Sequence, residues 1–366
     1  MKKEPLIIIM TIMLMALPLF GACSSPQTDV IELSYSNFFP PTHLHSILAE
    51  EWTNEIEVRT DGAVKFVYYP GGSLTPAPQV YDGVASGISD IGMSVLAYSV
   101  GRFPTCELID LPHSYPSGWV ATKVANDFYN EFKPAEFDDT HLLYLHAHGP
   151  GVILTSEKPV RQMEDLDGLI IRSTGVGAKI VEALGAEGYG SGQGEAYELM
   201  AKGVVDGSFT PREVLKGWNQ AEVVKYITGT YDLGYTATMF VTMNKDKWNA
   251  LPDNIKTVFT EVSEEWADKH GRVWDYYDKV AVDYFLTFEG REIIELPPAE
   301  MSRWVETAVD PMINAYINDK TAMGLPAEEY QQYLNERVSY WSPKAPSAEE
   351  CVAWVENNVQ QPAPAE

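Results

Sequence analysis

The chain has 366 residues, 45% hydrophobic and 11% aromatic, which is enough for two domains that each bury a core of their own. Its 26 Lys+Arg stand against 52 Asp+Glu, a formal net charge of −26. A field of that sign repels phosphate backbones and anionic headgroups, which argues against nucleic acid and charge-driven membrane binding; an anionic small molecule would need a local cation to receive it.

Lys2 and Lys3 precede an apolar run over residues 6–20, and Gly21-Ala22 lead into Cys23, the layout of a secretory signal. The segment resembles a bacterial lipoprotein signal. That resemblance implies a signal peptide over 1–22, lipidation of Cys23, a short linker over 23–29 and a periplasmic protein tethered to a membrane, the alternative being a free periplasmic product. No later stretch reaches the ~18 apolar residues of a membrane span. Cys106 and Cys351 are expected as two separate buried thiols, a disulfide between them being the alternative. The absence of a CxxC pair leaves no zinc or redox motif.

The mature chain opens with an alternating strand over 30–36, the turn-forming Pro40-Pro41 with Thr42 as N-cap, and a helix over 43–59. Asp61-Gly62 turns into a strand over 64–69; a helix over 77–86 closes on Gly87 and a strand over 88–94 follows. This order predicts an α/β lobe with a largely parallel sheet. Residues 81–92 then find an echo in 197–208: Tyr81 and Tyr197, Ala85 and Ala201, Gly87 and Gly203, Asp90 and Asp206 share their offsets. Coincidence between two helix-to-strand junctions is one reading, and two lobes of like construction is the other.

The second half starts with a strand over 152–155, a polar connection over 158–168 with one helical turn, and a strand over 169–172 ending in Arg172. Helices over 178–184 and 195–202, a strand over 204–210 and a helical segment from 214 follow. Residues 238–243 return the chain to the first lobe as a strand. A helix over 253–284 carries an apolar stripe through Phe259, Val262, Trp266, Val273 and Tyr277. After Leu296-Pro297-Pro298, helical periodicity resumes over 299–316, and 360–366 is a Pro/Ala-rich tail expected to be disordered.

Ligands in parallel α/β sheets bind at the carboxyl ends of the strands, where loops and helix N-termini converge. Arg172 stands at such an end, ahead of Ser173-Thr174-Gly175, and a guanidinium beside a helix start suits a carboxylate or sulfonate. A structural ion pair with one of the many acids is the competing reading. Ser173-Thr174-Gly175-Val176-Gly177 lacks the lysine of a phosphate loop, and no Gly-x-Ser-x-Gly elbow occurs; Gly188–Gly192 reads as a flexible loop. The pairs His43/His45 and His146/His148 lack a third placed ligand, so no metal and no cofactor is expected. Aromatic residues at strand ends and loops (Phe38, Phe39, Tyr81, Tyr98, Phe209, Trp218, Tyr231, Tyr235) are candidates for lining a cleft, with about half of them expected in ordinary core.

The run Glu164-Asp165-Leu166-Asp167-Gly168-Leu169-Ile170-Ile171-Arg172, with Ala183-Leu184-Gly185-Ala186, Glu195-Ala196-Tyr197, Gly203-Val204-Val205-Asp206-Gly207 and Pro211, resembles the solute-binding proteins of TRAP transporters, the DctP type. Phe39-Pro40-Pro41-Thr42-His43 and Asn244-Lys245-Asp246-Lys247-Trp248 extend the resemblance over nearly the whole mature chain. It implies an α/β, two-lobed periplasmic-binding-protein-like fold with an interlobe cleft and a long helix spanning both lobes. The lobes would be 30–151 plus about 239–290 and 152–238 plus about 291–345, with 346–366 as a C-terminal tail. It further implies a non-enzymatic protein that captures a small organic anion and delivers it to the small and large permease subunits, with a ligand-sensing subunit or a C4-dicarboxylate binder as alternatives.

By resemblance Arg172 holds the ligand carboxylate. The remaining candidate contacts are Phe209, Thr210, Ser94, Asn37, Phe38, Tyr98, His148, Gln193, Tyr231 and Tyr235. Family members that take sialic acid or dicarboxylates often carry a second arginine where this chain has Val152, and an asparagine where it has Thr210; Gln193 replaces a common phenylalanine. One cation rather than two points to a monoanion: a monocarboxylate, a keto, hydroxy or aromatic acid, or a sulfonate.

Overall fold

The computed structural model describes residues 30–361; the expected signal, the linker and Cys23 lie outside them. Among the described residues eleven strands occur in chain order: β1 (Ile31–Asn37), β2 (Val64–Tyr69), β3 (Ile91–Val95), β4 (Thr140–Ala147), β5 (Val152–Thr155), β6 (Ile170–Ser173), β7 (Glu187–Gly190), β8 (Gly207–Thr210), β9 (Tyr226–Gly229), β10 (Thr238–Asn244) and β11 (Glu292–Glu295). They form one sheet ordered β2-β1-β3-β10-β4 and another ordered β11-β9-β5-β8-β6-β7.

The two sheets share a plan. β1 runs parallel to β2 and β3, with β10 antiparallel between β3 and β4. In the second sheet β6 runs parallel to β7 and β8, with β5 antiparallel between β8 and β9. Each sheet therefore holds one antiparallel strand, β10 in the first and β5 in the second, and β10 reaches the first sheet only after the chain has built most of the second. The sequence echo is part of this plan. Gly87 and Gly203 both adopt positive φ, 79° and 66°, where a side chain would be strained. Asp90 accepts the Ser34 amide at 2.7 Å and Asp206 accepts the Ile170 amide at 2.8 Å, so the same acidic side chain ties each helix-to-strand turn to its neighbouring strand.

The helix Asp253–Phe285 joins the lobes. Phe259, Val262, Trp266 and Tyr277 pack into the core under the first sheet, while Ala281 and Phe285 reach the cluster holding Val152, Leu154 and Ile227 of the second. Beyond β11 the helices Pro298–Trp304 and Asp310–Ala322 are joined through a π turn at Val305–Val309. Pro311 accounts for it, since it offers no N–H to the carbonyl four residues back and its ring crowds that turn.

Several expectations need correction. The N-cap of the first helix is His43, whose side chain accepts from the His45 amide, in place of Thr42. Residues 188–192 are no loose loop: 187–190 form the edge strand β7 in register with β6. The segment 291–345 does not stay with the second lobe. β11 pairs there, but the helix Ala327–Trp341 sets Tyr330 and Tyr333 edge-on against Phe128 and Phe132 of the helix Gly118–Phe132, beside the first sheet. Residues 346–361, expected as part of a C-terminal tail, carry a helix: Ser347 and Glu350 form a capping box that starts Ala348–Asn358, with Cys351 and Val355 buried one turn apart, while 362–366 of the expected disordered end lie outside the described residues. Cys106 and Cys351 are both free and buried, as two separate thiols.

Candidate functional site

Arg172 lies at the carboxyl end of β6 and is only 2% exposed. Its Nη1 donates to Gln193 Oε1 at 2.8 Å, and its Nη2 donates to Thr174 Oγ1 at 2.9 Å and to the Ser191 carbonyl at 2.6 Å. Its Nε is buried without a partner. All three acceptors are neutral, and among the described residues no carboxylate lies within ion-pair distance of the guanidinium. Burial pulls its pKa down, but an arginine stays charged. A buried charge answered only by dipoles is under-compensated, and a carboxylate is the group that matches its fork.

The guanidinium opens onto a narrow cavity between the lobes, about 40 Å³ in volume, walled by apolar and aromatic side chains with a few polar groups, as small-ligand sites are. The first lobe contributes Phe38, Phe39, Val95, Tyr98 and His148, with Trp274 from the long helix and Ala237 and Met239 at β10. The second contributes Arg172, Thr174, Gln193, Thr210, Pro211, Glu213, Val214, Trp218 and Tyr235. Phe38 and Trp218 face each other across the lobes with ring centroids 6.3 Å apart and planes within 19°. The Gln193 amide donates to the Tyr98 hydroxyl at 2.9 Å, a second contact from lobe to lobe. Gln193 Nε2 is a further buried donor without a partner.

Two polar lining residues are already committed. His148 Nε2 accepts the Ala237 amide at 2.9 Å, so its proton sits on Nδ1, which donates to the Gly149 carbonyl. Burial lowers its pKa to about 4, and the neutral ring is a wall. The Tyr235 hydroxyl donates to the Phe209 carbonyl at 2.9 Å; burial pushes its pKa up. Gly151 and Gly177 make room for that tyrosine, since a Cβ at either would sit 2.1 Å and 3.1 Å from its ring.

Of the sequence candidates, Arg172, Thr210, Phe38, Tyr98, His148, Gln193 and Tyr235 meet at this cavity, while Asn37, Ser94, Phe209 and Tyr231 do not line it. Asn37 donates to the Tyr68 hydroxyl and accepts the Phe39 amide. Ser94 donates to the Ala77 carbonyl. Phe209 is fully buried core, its ring 4.5 Å from that of Tyr235, and Tyr231 lies beneath the Arg212 guanidinium. The first three each miss by one position: Phe38, Val95 and Thr210, their immediate neighbours, do line the cavity, because successive side chains of extended chain point to opposite faces. Sequence reasoning missed Glu213, Trp274, Met239 and Thr174 as contacts. For Thr174 a signal existed, its spacing of two from Arg172. The histidine pairs also rearrange. His45, His146 and His270 cluster deep in the first lobe with ring nitrogens within 4.8 Å of one another, so His270 is the third imidazole that the sequence did not place; His45 Nδ1 lies 2.8 Å from His270 Nδ1, and His146 and His270 stack 4.2 Å apart within 8° of parallel.

Residues 35–319 match the model of the family described as bacterial extracellular solute-binding protein, family 7, DctP. The chain belongs to this family. A TRAP periplasmic solute-binding protein from Desulfovibrio salexigens is 32% identical, with a TM-score of 0.76 over 86% of this chain and 98% of that one. A TRAP periplasmic solute-binding protein from Bordetella bronchiseptica, solved with bound (R)- and (S)-mandelate, is 28% identical, with a TM-score of 0.78 over 85% and 99%. The monocarboxylate 2-oxoacid-binding periplasmic protein of Nostoc sp. is 25% identical over 262 residues, 67% of this chain and 70% of that one. This DctP-family chain is thus a TRAP solute-binding protein for small organic acids, a component of transport with the two-lobed fold of its relatives. Its family is periplasmic and feeds membrane permeases rather than catalysing a reaction.

Proposed function

We propose that the ligand is a monocarboxylate with an aromatic or apolar body, its carboxylate on Arg172 and its body against Phe38 and Trp218. The observation that carries this reading is the buried Arg172 guanidinium, held only by neutral acceptors at the mouth of an aromatic-walled cavity. Among the described residues that line the cavity Arg172 is the one permanent cation, which supports one negative charge on the ligand over two. Gln193 and Tyr98 orient the headgroup, and Thr210 contacts the body. The mandelate complex of the Bordetella bronchiseptica relative supports the same chemistry. The loaded protein hands its ligand to the small and large permease subunits, tethered to the membrane by a lipid on Cys23.

Calorimetry with a panel of mono- and dicarboxylates on the mature protein tests the reading. Arg172→Ala is expected to keep the fold and raise the Kd at least ~10-fold, the effect of losing about 1.4 kcal/mol or more of charge-assisted bonding. Unchanged affinity removes Arg172 from the site, and dicarboxylates as the sole binders overturn the monoanion. Cys23→Ala should release the protein from the membrane fraction.

A further inference from the structure

Glu213 lines the cavity from the second lobe and is 1% exposed. Its Oε1 lies 2.5 Å from Nε2 of His43, which belongs to the first lobe. The protonation pattern can be read from the contacts: His43 Nδ1 accepts the His45 amide at 3.2 Å, so Nε2 carries the proton and donates to the carboxylate. The His43 ring is wedged between Phe39 and Tyr277, with centroids at 4.6 Å and 5.0 Å. Gly217 closes the niche, since a Cβ there would sit 2.5 Å from His43 Nε2 and 2.6 Å from Glu213 Oε1. Arg212, the nearest cation in sequence, is spent on Asp278. Burial pushes the Glu213 pKa up, while the His43 and Trp218 side chains pull it the other way.

A carboxylate offers about four acceptor sites, and the one side-chain bond from His43 does not exhaust them. Burying it beside a ligand cavity is costly unless something else donates to it. A pair that served only to hold the lobes together would gain by turning away from the cavity, yet Glu213 faces it along with Trp218.

We propose that Glu213 is a specificity-determining residue of this pocket: its carboxylate accepts a hydrogen bond from a hydroxyl on the ligand body and repels a second carboxylate there, so the preferred ligands are hydroxylated monocarboxylates. The inference rests on the function proposed above and sharpens its ligand class. Arg172 takes the acid, Glu213 reads the hydroxyl, and His43 positions Glu213 from the opposite lobe. Discrimination of this kind is strong because an analogue lacking the hydroxyl leaves the buried acceptor unpaired.

Calorimetry on the full mature protein, with benzoate against 3- and 4-hydroxybenzoate, phenylacetate against mandelate, and isophthalate as the second-carboxylate probe, tests it in the wild type and in Glu213→Gln. The wild type should bind the better hydroxylated acid at least ~10-fold tighter than its plain counterpart and bind isophthalate weakest. In Glu213→Gln the preference for the hydroxylated acid over its plain counterpart should shrink severalfold. A wild-type ratio near one for every pair overturns the inference and leaves the monocarboxylate reading standing, and so does an undiminished ratio in Glu213→Gln. If no monocarboxylate binds, the underlying reading fails and the inference fails with it. Should Glu213→Gln not fold, the wild-type ratios decide alone.

Discussion

Asp110 and His148, both buried beside the cleft, titrate in opposite senses. Asp110 is 3% exposed and accepts the Thr238 amide at 2.9 Å and the Thr238 hydroxyl at 2.7 Å, pinning the start of β10. Burial outweighs these bonds and pushes its pKa up to about 7. The folded state therefore holds this proton more tightly than the unfolded state. The stability it contributes is fully present below about pH 4 and lost as the pH rises to about 7, at roughly 1.4 kcal/mol per pH unit inside that window. Asp110→Asn cannot ionise, so its stability relative to the wild type should climb between pH 4 and 7 and then level off; parallel urea-melt curves across that range would contradict this. His148 has the opposite sign: lowered to about 4, it contributes stability above about pH 6.5 that is lost as the pH falls. Arg172 was legible in the sequence because a cation closing an apolar strand is a local pattern. The side on which Asn37, Ser94 and Phe209 face was not, since a one-residue offset in extended chain reverses a side chain without changing composition.

Gly175 shows how one element depends on the other lobe. It precedes the helix Val176–Ala183 with φ of 53°, and a Cβ there would lie 2.8 Å from the Ala97 Cβ across the cleft. Gly175→Ala is expected to cost about 1 kcal/mol of stability from the backbone alone, and to weaken ligand binding further because the methyl obstructs apposition of the lobes. Urea melts and calorimetry separate the two effects, and an affinity equal to that of the wild type would show that this contact does not matter to binding. β1, β2, β3, β5, β6, β8 and β10, the long helix and the glycine-capped turns could be read from sequence because period, caps and breakers act over a few residues. β7 could not: its Glu187–Gly190 has the composition of a loop and becomes a strand only by pairing with β6. The helix behind the capping box at Ser347 and Glu350 was not read from the sequence, and the surface it covers lies far away in the chain.

In the whole molecule the two sheets meet through contacts that exist only when the lobes are together: His43 with Glu213, Tyr98 with Gln193, and Gly175 against Ala97. A ligand held by both lobes should favour this arrangement, so saturating a binding monocarboxylate is expected to reduce the radius of gyration in solution scattering. At 100 times its Kd the ligand should also add about 2.7 kcal/mol to stability. A ligand that stabilises the wild type without compacting it would mean that one lobe binds alone. The amino-acid sequence by itself determined the α/β character of the two halves, the long helix and the cation at the end of β6, because each is written in short-range periodicity, turn chemistry and motif. Only the tertiary structure decided that His43 meets Glu213 from 170 residues away, which strand faces line the cavity, and that the C-terminal helices return to the first lobe, because those are long-range contacts set by packing and register.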